Sequence, residues 1–551
     1  MQNTPRSLRR HLLIALIFHF YLFAPMTQGS SLINIPLKSE MGIFSDETYA
    51  FIFRCLNKRL IPGITRGSLP LTRGQVASIL VTLSEKHKNR EITLSKIDQK
   101  RLEALMQLFA DELPVPQADF SKRRLHLLQS KGPNHHFAID FAASQQAVSR
   151  TNAVFPMAGT THVTGLLPHI HGQIRNDLGF STRVASYALY GDAFQDLFAS
   201  ETSVGILNRD LEFRQPIDAY FKFKLPWFQL QFGQENLRWG PGYHGALLMS
   251  EHPVSMNSIR LAASYNHLTF TAFTAVLEDR APEIYEKYLS GHRIEGFFWN
   301  RLGIGVSETI VYGNRFEPSY LNPVTVYLFS ERYIARGDDR SSNQSRGNLG
   351  DNILISGDAR LRLVDNLEIY GELMVDDGDP IHDFHHWDTK LGVLGGIYVT
   401  DPFGISNTDL HAEYAFISQY AYTHENPVHS YKHFSSVLGH PIGSDADNLW
   451  VELRHRFTDK LESALIYELE RHGEGNVDKP HPANAPGDDR WIPLSGITQS
   501  EHRLTLGVNY TAIGRYSFAG EFTQVWVGNK KNKAGVNESG REINLKTSYR
   551  F

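Results

Sequence analysis

Cysteine is almost missing from this chain. Its 551 residues hold one, Cys55, so no intramolecular disulfide can form. Whatever the chain folds into is held by packing and hydrogen bonding alone. Cys55 also lies far from the cleavage region described below, which excludes a lipoprotein anchor there. Long apolar runs are scarce too. Beyond the first two dozen residues nothing approaches the ~20 consecutive apolar residues that a spanning helix needs, so any passage through a bilayer must be made by strands. A basic excess is absent: the net charge is −4, which gives no ground for a nucleic-acid partner. The motifs of chemistry are lacking as well. There is no Gly-x-Ser-x-Gly elbow and no glycine-rich phosphate loop, and no catalytic carboxylate pair separates itself from 59 acidic residues. No enzymatic activity, no cofactor and no metal is expected.

What is present begins at the two ends. Arg6, Arg9 and Arg10 precede an apolar stretch from Leu12 to Phe23 broken only by His19, and Thr27-Gln28-Gly29-Ser30 offers small residues for cleavage. This is the pattern of a secretion signal, too short and wrongly flanked for an anchor helix, and it sets 1–30 apart as a signal peptide. At the other end Ile543, Leu545, Thr547, Tyr549 and Phe551 alternate with Glu542, Asn544, Lys546, Ser548 and Arg550. In an extended segment this makes one greasy face and one charged face. After a secretion signal it suggests the closing strand of an outer-membrane β-barrel, with lipid outside and barrel-assembly machinery as the partner that takes up the strand.

Between the ends the hydrophobic period changes once. Residues 31–130 read as a small helical bundle. Ser45 caps a first helix with Tyr49, Ile52, Phe53 and Leu56 on its apolar face. Thr72 and Gln75 form a capping box for a second, with Val76, Ile79, Leu80 and Leu83 inside. Ser95 or Thr93 starts a third, which buries Leu102, Leu105 and Phe109 and ends at Pro114 and Pro116. Each helix needs a partner to bury its stripe. From about His135 the period becomes 2. Glu368, Tyr370 and Glu372 alternate with Leu367, Ile369 and Leu373, and Trp450, Glu452 and Arg454 alternate with Leu449, Val451 and Leu453. Residues 131–551 therefore read as strands of about ten residues, the length that crosses a bilayer at a tilt.

Connection lengths test this independently. Tight turns at Pro226, Asn266, 364–366, 458–460 and 512–514 alternate with long polar links such as 237–255, 420–447 and 472–500. Outer-membrane barrels have short periplasmic turns and long external loops. A β-sandwich or propeller does not require this alternation, and no repeat of fixed period is visible. The expected fold is mostly β: a transmembrane antiparallel barrel of about eighteen strands, counted with Arg293 to Tyr312 as one long strand and a further strand after Asn322-Pro323, and with the helical bundle plugging its periplasmic end.

The densest chemical segment runs from Phe232 to Gly245. Gly240-Pro241-Gly242 fixes a sharp bend, and Glu235, Arg238, Trp239, Tyr243 and His244 surround it. Flat aromatic faces beside fixed charged donors suit sugar recognition. A structural turn with an aromatic anchor fits Trp239 equally. The stretch Gly233 to Arg260, with Gln234-Glu235-Asn236-Leu237-Arg238-Trp239-Gly240-Pro241-Gly242-Tyr243 and then Ala246-Leu247-Leu248-Met249-Ser250, resembles the signature of the capsule assembly Wzi family of outer-membrane proteins. Asn322-Pro323 and the segment Gly350-Asp351-Asn352 … Asp358 … Tyr370-Gly371-Glu372 resemble it too. The resemblance implies an eighteen-stranded barrel plugged by its helices, and a lectin-like role in holding capsular polysaccharide. Arg238, Trp239 and Tyr243 are the expected contacts, with Glu235 fixing Arg238. A passive porin for small solutes is the alternative, and a barrel hydrolase a further one. His382, Asp383, His385 and His386, beside Asp376, Asp377 and Asp379, offer donors for a divalent ion, but their spacing matches no closed site and they read as a solvated loop, while His135, His136, His169 and His171 read as strand residues.

Overall fold

The computed structural model describes residues 31–37, 47–113, 126–151, 154–155, 158–191, 203–208, 211–214, 218–278, 286–327, 329–330, 350–376, 389–482, 493–512 and 515–551. The signal segment, Ser45, Pro114, Pro116 and the 377–388 histidine loop lie outside them.

Three short helices open the described chain: α1 (Glu47–Asn57), α2 (Arg73–Lys88) and α3 (Lys96–Leu108). The Thr72 hydroxyl accepts from the Gln75 amide while the Gln75 side chain answers the Thr72 N–H, so the capping box is complete. Ser95 caps α3 through the Asp98 amide. Phe51, Ile52, Leu56, Val76, Leu80, Leu83 and Leu105 form the centre of their shared core, with Cys55 buried among them.

The rest closes into an antiparallel barrel of eighteen strands. In chain order these are β1 (His135–Thr151), β2 (Gly159–Ile174), β3 (Leu178–Arg183 and Ser186–Gly191), β4 (Leu211–Arg214 and Asp218–Lys224), β5 (Gln229–Glu235), β6 (Met256–Tyr265), β7 (Leu268–Leu277), β8 (Lys287–Phe298) and β9 (Leu302–Gly313). The ring continues with β10 (Asn352–Val364), β11 (Leu367–Asp376), β12 (Leu391–Thr400), β13 (Thr408–Ile417), β14 (Ala446–Arg456), β15 (Leu461–His472), β16 (Gln499–Ala512), β17 (Tyr516–Gly528) and β18 (Glu538–Arg550). β18 pairs with β1 from Arg541–Thr151 to Arg550–Ala142, which leaves no open edge. The alternation sorts the side chains as expected. On β11, Ile369 and Leu373 are exposed outside while Glu368, Tyr370 and Glu372 are buried within. Leu504, Leu506, Phe518, Phe522, Ile543, Leu545 and Tyr549 continue the outer apolar belt.

The count of eighteen stands, but two of its parts differ from the expectation. Arg293 to Tyr312 is not one strand. Trp299 and Asn300 take left-handed φ of 50° and 55° and reverse the chain between β8 and β9. Conversely, the described residues just after Asn322-Pro323, 324–327 and 329–330, form no strand. They belong to the long link between β9 and β10, which begins with a 3-10 turn at Pro318–Leu321. Tyr320 and Tyr327 of that link pack on Ile310 and Tyr312 of the barrel, so its aromatics mimic an alternating pattern without pairing. With both changes the short and long connections alternate all the way round. Leu128–Gly132, read from sequence with the helices, is a short strand paired with the start of β1.

The helical unit docks on the inner wall at the short-turn end. Arg54 of α1 is 1% exposed and reaches Asp98 of α3 at 3.5 Å, Asp401 at 2.5 Å and Asp409 of β13 at 2.5 Å. Burial works against its charge, but these carboxylates outweigh it and hold its pKa above the usual arginine value. Arg456 of β14 shares Asp409 at 2.6 Å. Arg66 pairs with Glu368. Asn57 donates to the carbonyls of Asn366 and Tyr398, and Arg59 pairs with Asp365 in the β10–β11 turn at 2.8 Å. Arg54→Ala leaves buried Asp98 without its arginine and Asp409 with Arg456 alone, at a cost of about 3 kcal/mol. The expected outcome is protease cleavage within 47–113 of the detergent-solubilised protein while the barrel keeps its heat-modifiable migration on gels.

Candidate functional site

The segment between β5 and β6 does not project outward. It turns into the lumen as a strap fastened at three levels. Trp239 N–H donates to the Met249 carbonyl at 2.9 Å, which makes the strap a hairpin. Arg238-Trp239 pairs antiparallel with Ser68-Leu69 of the helical unit, and Gly240 N–H donates to Gly67. Two wall carboxylates then accept strap amides. Glu413 of β13 takes the N–H of Tyr243 at 2.6 Å, of His244 at 3.1 Å and of Gly245 at 3.0 Å, and also the Tyr370 hydroxyl at 2.8 Å. Glu372 of β11 takes Leu247 at 3.1 Å and Leu248 at 3.3 Å.

This approach explains the glycines. Gly240 has φ of +124°, and a Cβ there would lie 2.7 Å from the Glu372 carboxylate. At Gly245 a Cβ would strike the His440 ring. Above the strap, the link 418–445 folds down onto it. Tyr422 and Tyr431 donate to the carbonyls of Leu247 and Leu248 at 2.5 and 2.9 Å, and Ser250 N–H donates to Leu438. Leu247, Leu248 and Met249 centre the largest apolar cluster among the described residues, which fills the lumen on that side.

Beside the strap a cavity of about 680 Å³ remains. Its floor is α1, through Tyr49 and Phe53, with Arg66. Its roof is the strap, through Arg238, Pro241, Tyr243 and His244. The far wall runs from β12 to β18 and carries Tyr398, His411, Trp450, Glu452, Arg454, Glu468, Arg503 and Glu521. Rings gather at the strap tip. His244 stacks on Trp450 at 5.0 Å and 8°. Tyr243 lies 4.4 Å from His411, which stacks on Tyr398 at 4.0 Å and 11°. Arg66 sits over the Tyr243 ring at 5.3 Å. Burial works against a charged His244, but Glu468 at 3.0 Å outweighs it and raises the pKa above the usual histidine value. Burial and the neighbouring His244 push His440 down to about 3.

A family model for the capsule assembly protein Wzi matches residues 151–538. The chain belongs to the Wzi family. It is an outer-membrane protein. Its structure is similar to that of Wzi of Escherichia coli, an outer-membrane protein involved in group 1 capsule assembly and a carbohydrate-binding β-barrel. The identity is 14%, over 92% of this chain and 98% of that one, with a TM-score of 0.56, so the likeness is one of fold. OprD of Pseudomonas aeruginosa is similar at 10% identity over 75% of this chain and 95% of that one, with a TM-score of 0.43. No curated protein matches the chain.

In this Wzi-family barrel the residues singled out by sequence divide. Arg238 and Tyr243 line the cavity. Trp239 does not: it is 1% exposed, edge-on to Phe273 at 5.1 Å within the apolar cluster, and serves as a core residue of the strap. Glu235 does not fix Arg238. It ends β5 on the inner face, where it pairs with Arg260 one strand over and accepts from Asn34 at 2.7 Å. The chain turns after Asn236 and carries Arg238 away to Glu251 at 2.9 Å. Trp450 had a readable signal, an aromatic on the charged face of β14. Tyr398 and His411 had none, because only the β12–β13 register sets them opposite each other.

Replacing Glu413 by alanine strips three strap amides of their acceptor. Hydrogen exchange at residues 243–245 is expected to lose protection, while the amides of β12 and β14 keep theirs. Unchanged protection would mean that the strap is held from above by 418–445.

Proposed function

We propose that this barrel binds a capsular or other surface polysaccharide in the cavity under the strap, and holds it without transforming it. The observation that carries this reading is the composition of the cavity wall. Tyr243, His244 and Trp450 present ring surfaces beside Arg238, Glu452, Glu468 and Arg503, which are held in turn by Glu251, Arg454, His244 and Glu501. Sugar C–H faces stack on rings, and hydroxyls bond to carboxylates and guanidinium groups. Each contact is weak, and a polymer repeats its units, so retention comes from avidity. Family membership and the carbohydrate-binding E. coli relative support the same substrate class. On this reading residues 1–30 direct export, and β18 is the strand that the barrel-assembly machinery takes up in the outer membrane. The helical unit is the plug of the periplasmic mouth, supported by its contacts with the turns at 365–366 and 401–407.

Two measurements test it. Tyr243→Ala combined with Trp450→Ala is expected to weaken binding of purified protein to surface polysaccharide by roughly thirtyfold, with two rings at about 1 kcal/mol each. Heat-modifiable migration should persist. Binding equal to wild type refutes the cavity as the site. In planar bilayers the wild type is expected to stay closed and a variant lacking 47–113 to conduct. Open wild-type channels would favour a porin.

A further inference from the structure

Away from the cavity, three imidazoles and two carboxylates meet where the chain leaves the helical unit and enters the barrel. Asp111 follows α3 by three residues, and His126 comes just before the short strand Leu128–Gly132. His136 and Asp140 lie four residues apart on β1 and therefore share a face. The register sets His171 of β2 opposite Ala138, between them on that same face. His171 is 2% exposed. Its Nε2 lies 3.1 Å from Asp140 Oδ2, and its Nδ1 has no partner. His126 directs Nδ1 at Asp140 Oδ1, 2.6 Å away, and Nε2 at Asp111 Oδ2, 3.0 Å away.

An imidazole with both nitrogens on carboxylates needs positive charge on one side, either a second proton or a metal ion. We propose a metal ion: a divalent transition ion of the zinc class, bound by His126 Nδ1, His171 Nε2 and Asp140. Each of the three offers one donor atom, all within 4.8 Å of one another. Two histidines and a carboxylate suit zinc and leave a fourth position beside the His136 ring. Ring spacing agrees. An ion ~2.0–2.1 Å from each ring nitrogen lies about 3 Å from each ring centre, so rings sharing one ion stand roughly 5 Å apart. The His126 and His171 centroids are 5.5 Å apart, and His136 lies 5.8 and 6.1 Å from them. Asp111 supplies the outer carboxylate that a metal-bound histidine uses to fix its other N–H, and is itself held by Lys131 at 2.7 Å and Gln129 at 3.0 Å. The ion would join β1 and β2 to the end of the helical unit.

The test uses tag-free full-length protein in detergent, stripped with a chelator and dialysed against Zn²⁺. The expected result is close to one zinc per chain by elemental analysis, and visible absorption of a low-coordinate site when Co²⁺ replaces it. H126A and H171A should each lower zinc affinity at least tenfold, D111A about tenfold through its outer position, and H87A on α2 not at all. Wild-type protein that retains no stoichiometric zinc, or H126A that retains it as well as wild type, overturns the proposal. His126 lies outside the barrel strands, so its variant reads the site even if H171A does not form a heat-modifiable barrel.

Discussion

Charge enclosed in a low-dielectric interior has to be answered, and in this barrel many of the answers come from segments that are not wall. The strands alone place Glu368, Glu372, Asp409 and Glu413 inside the ring. Arg66 and Arg54 of the helical unit answer Glu368 and Asp409, and strap amides answer Glu372 and Glu413. A buried acid without such partners is costly. The helices and the strap are therefore electrostatic requirements of the wall as well as fillers of its volume. Other charges are settled within the wall, as in Arg293 with Asp358 at 2.5 Å and Arg454 with Glu452 at 3.0 Å.

The same requirement gives the Gly-Pro-Gly segment a second meaning. Its glycines let backbone N–H groups approach carboxylates, and its side chains follow from that placement. Trp239 points into the apolar side and disappears from solvent, whereas Arg238 and Tyr243 point to the side left open. A motif that reads as a ligand signature is thus first a fastening. The side chains that face the cavity do so because the fastening holds.

Sequence reading reached the architecture because period-2 alternation and loop length are local signals that a closed barrel imposes on every strand. The helix caps at Thr72 and Ser95 were legible for the same reason. It misjudged 293–332, where Trp299-Asn300 makes a turn without glycine or proline and where Tyr320 and Tyr327 imitate a strand by packing on one. It paired Glu235 with Arg238 by proximity along the chain, while the inner-face register joins Glu235 to Arg260. The ring pairs Tyr398–His411 and His244–Trp450, and the five-residue histidine and aspartate group, depend on registers that no single strand reveals.

The seam of the ring joins its first and last strands, and Thr151 meets Arg541 at a separation of 390 residues. The ring can be sealed only after β18 has emerged, so closing it carries the loop entropy of almost the whole cylinder. The helices are synthesised before any of the strands, yet their place on the inner wall is complete only once the last edge has zipped. Order of synthesis and order of sealing therefore run in opposite directions, and the contents of the vessel are older than its walls.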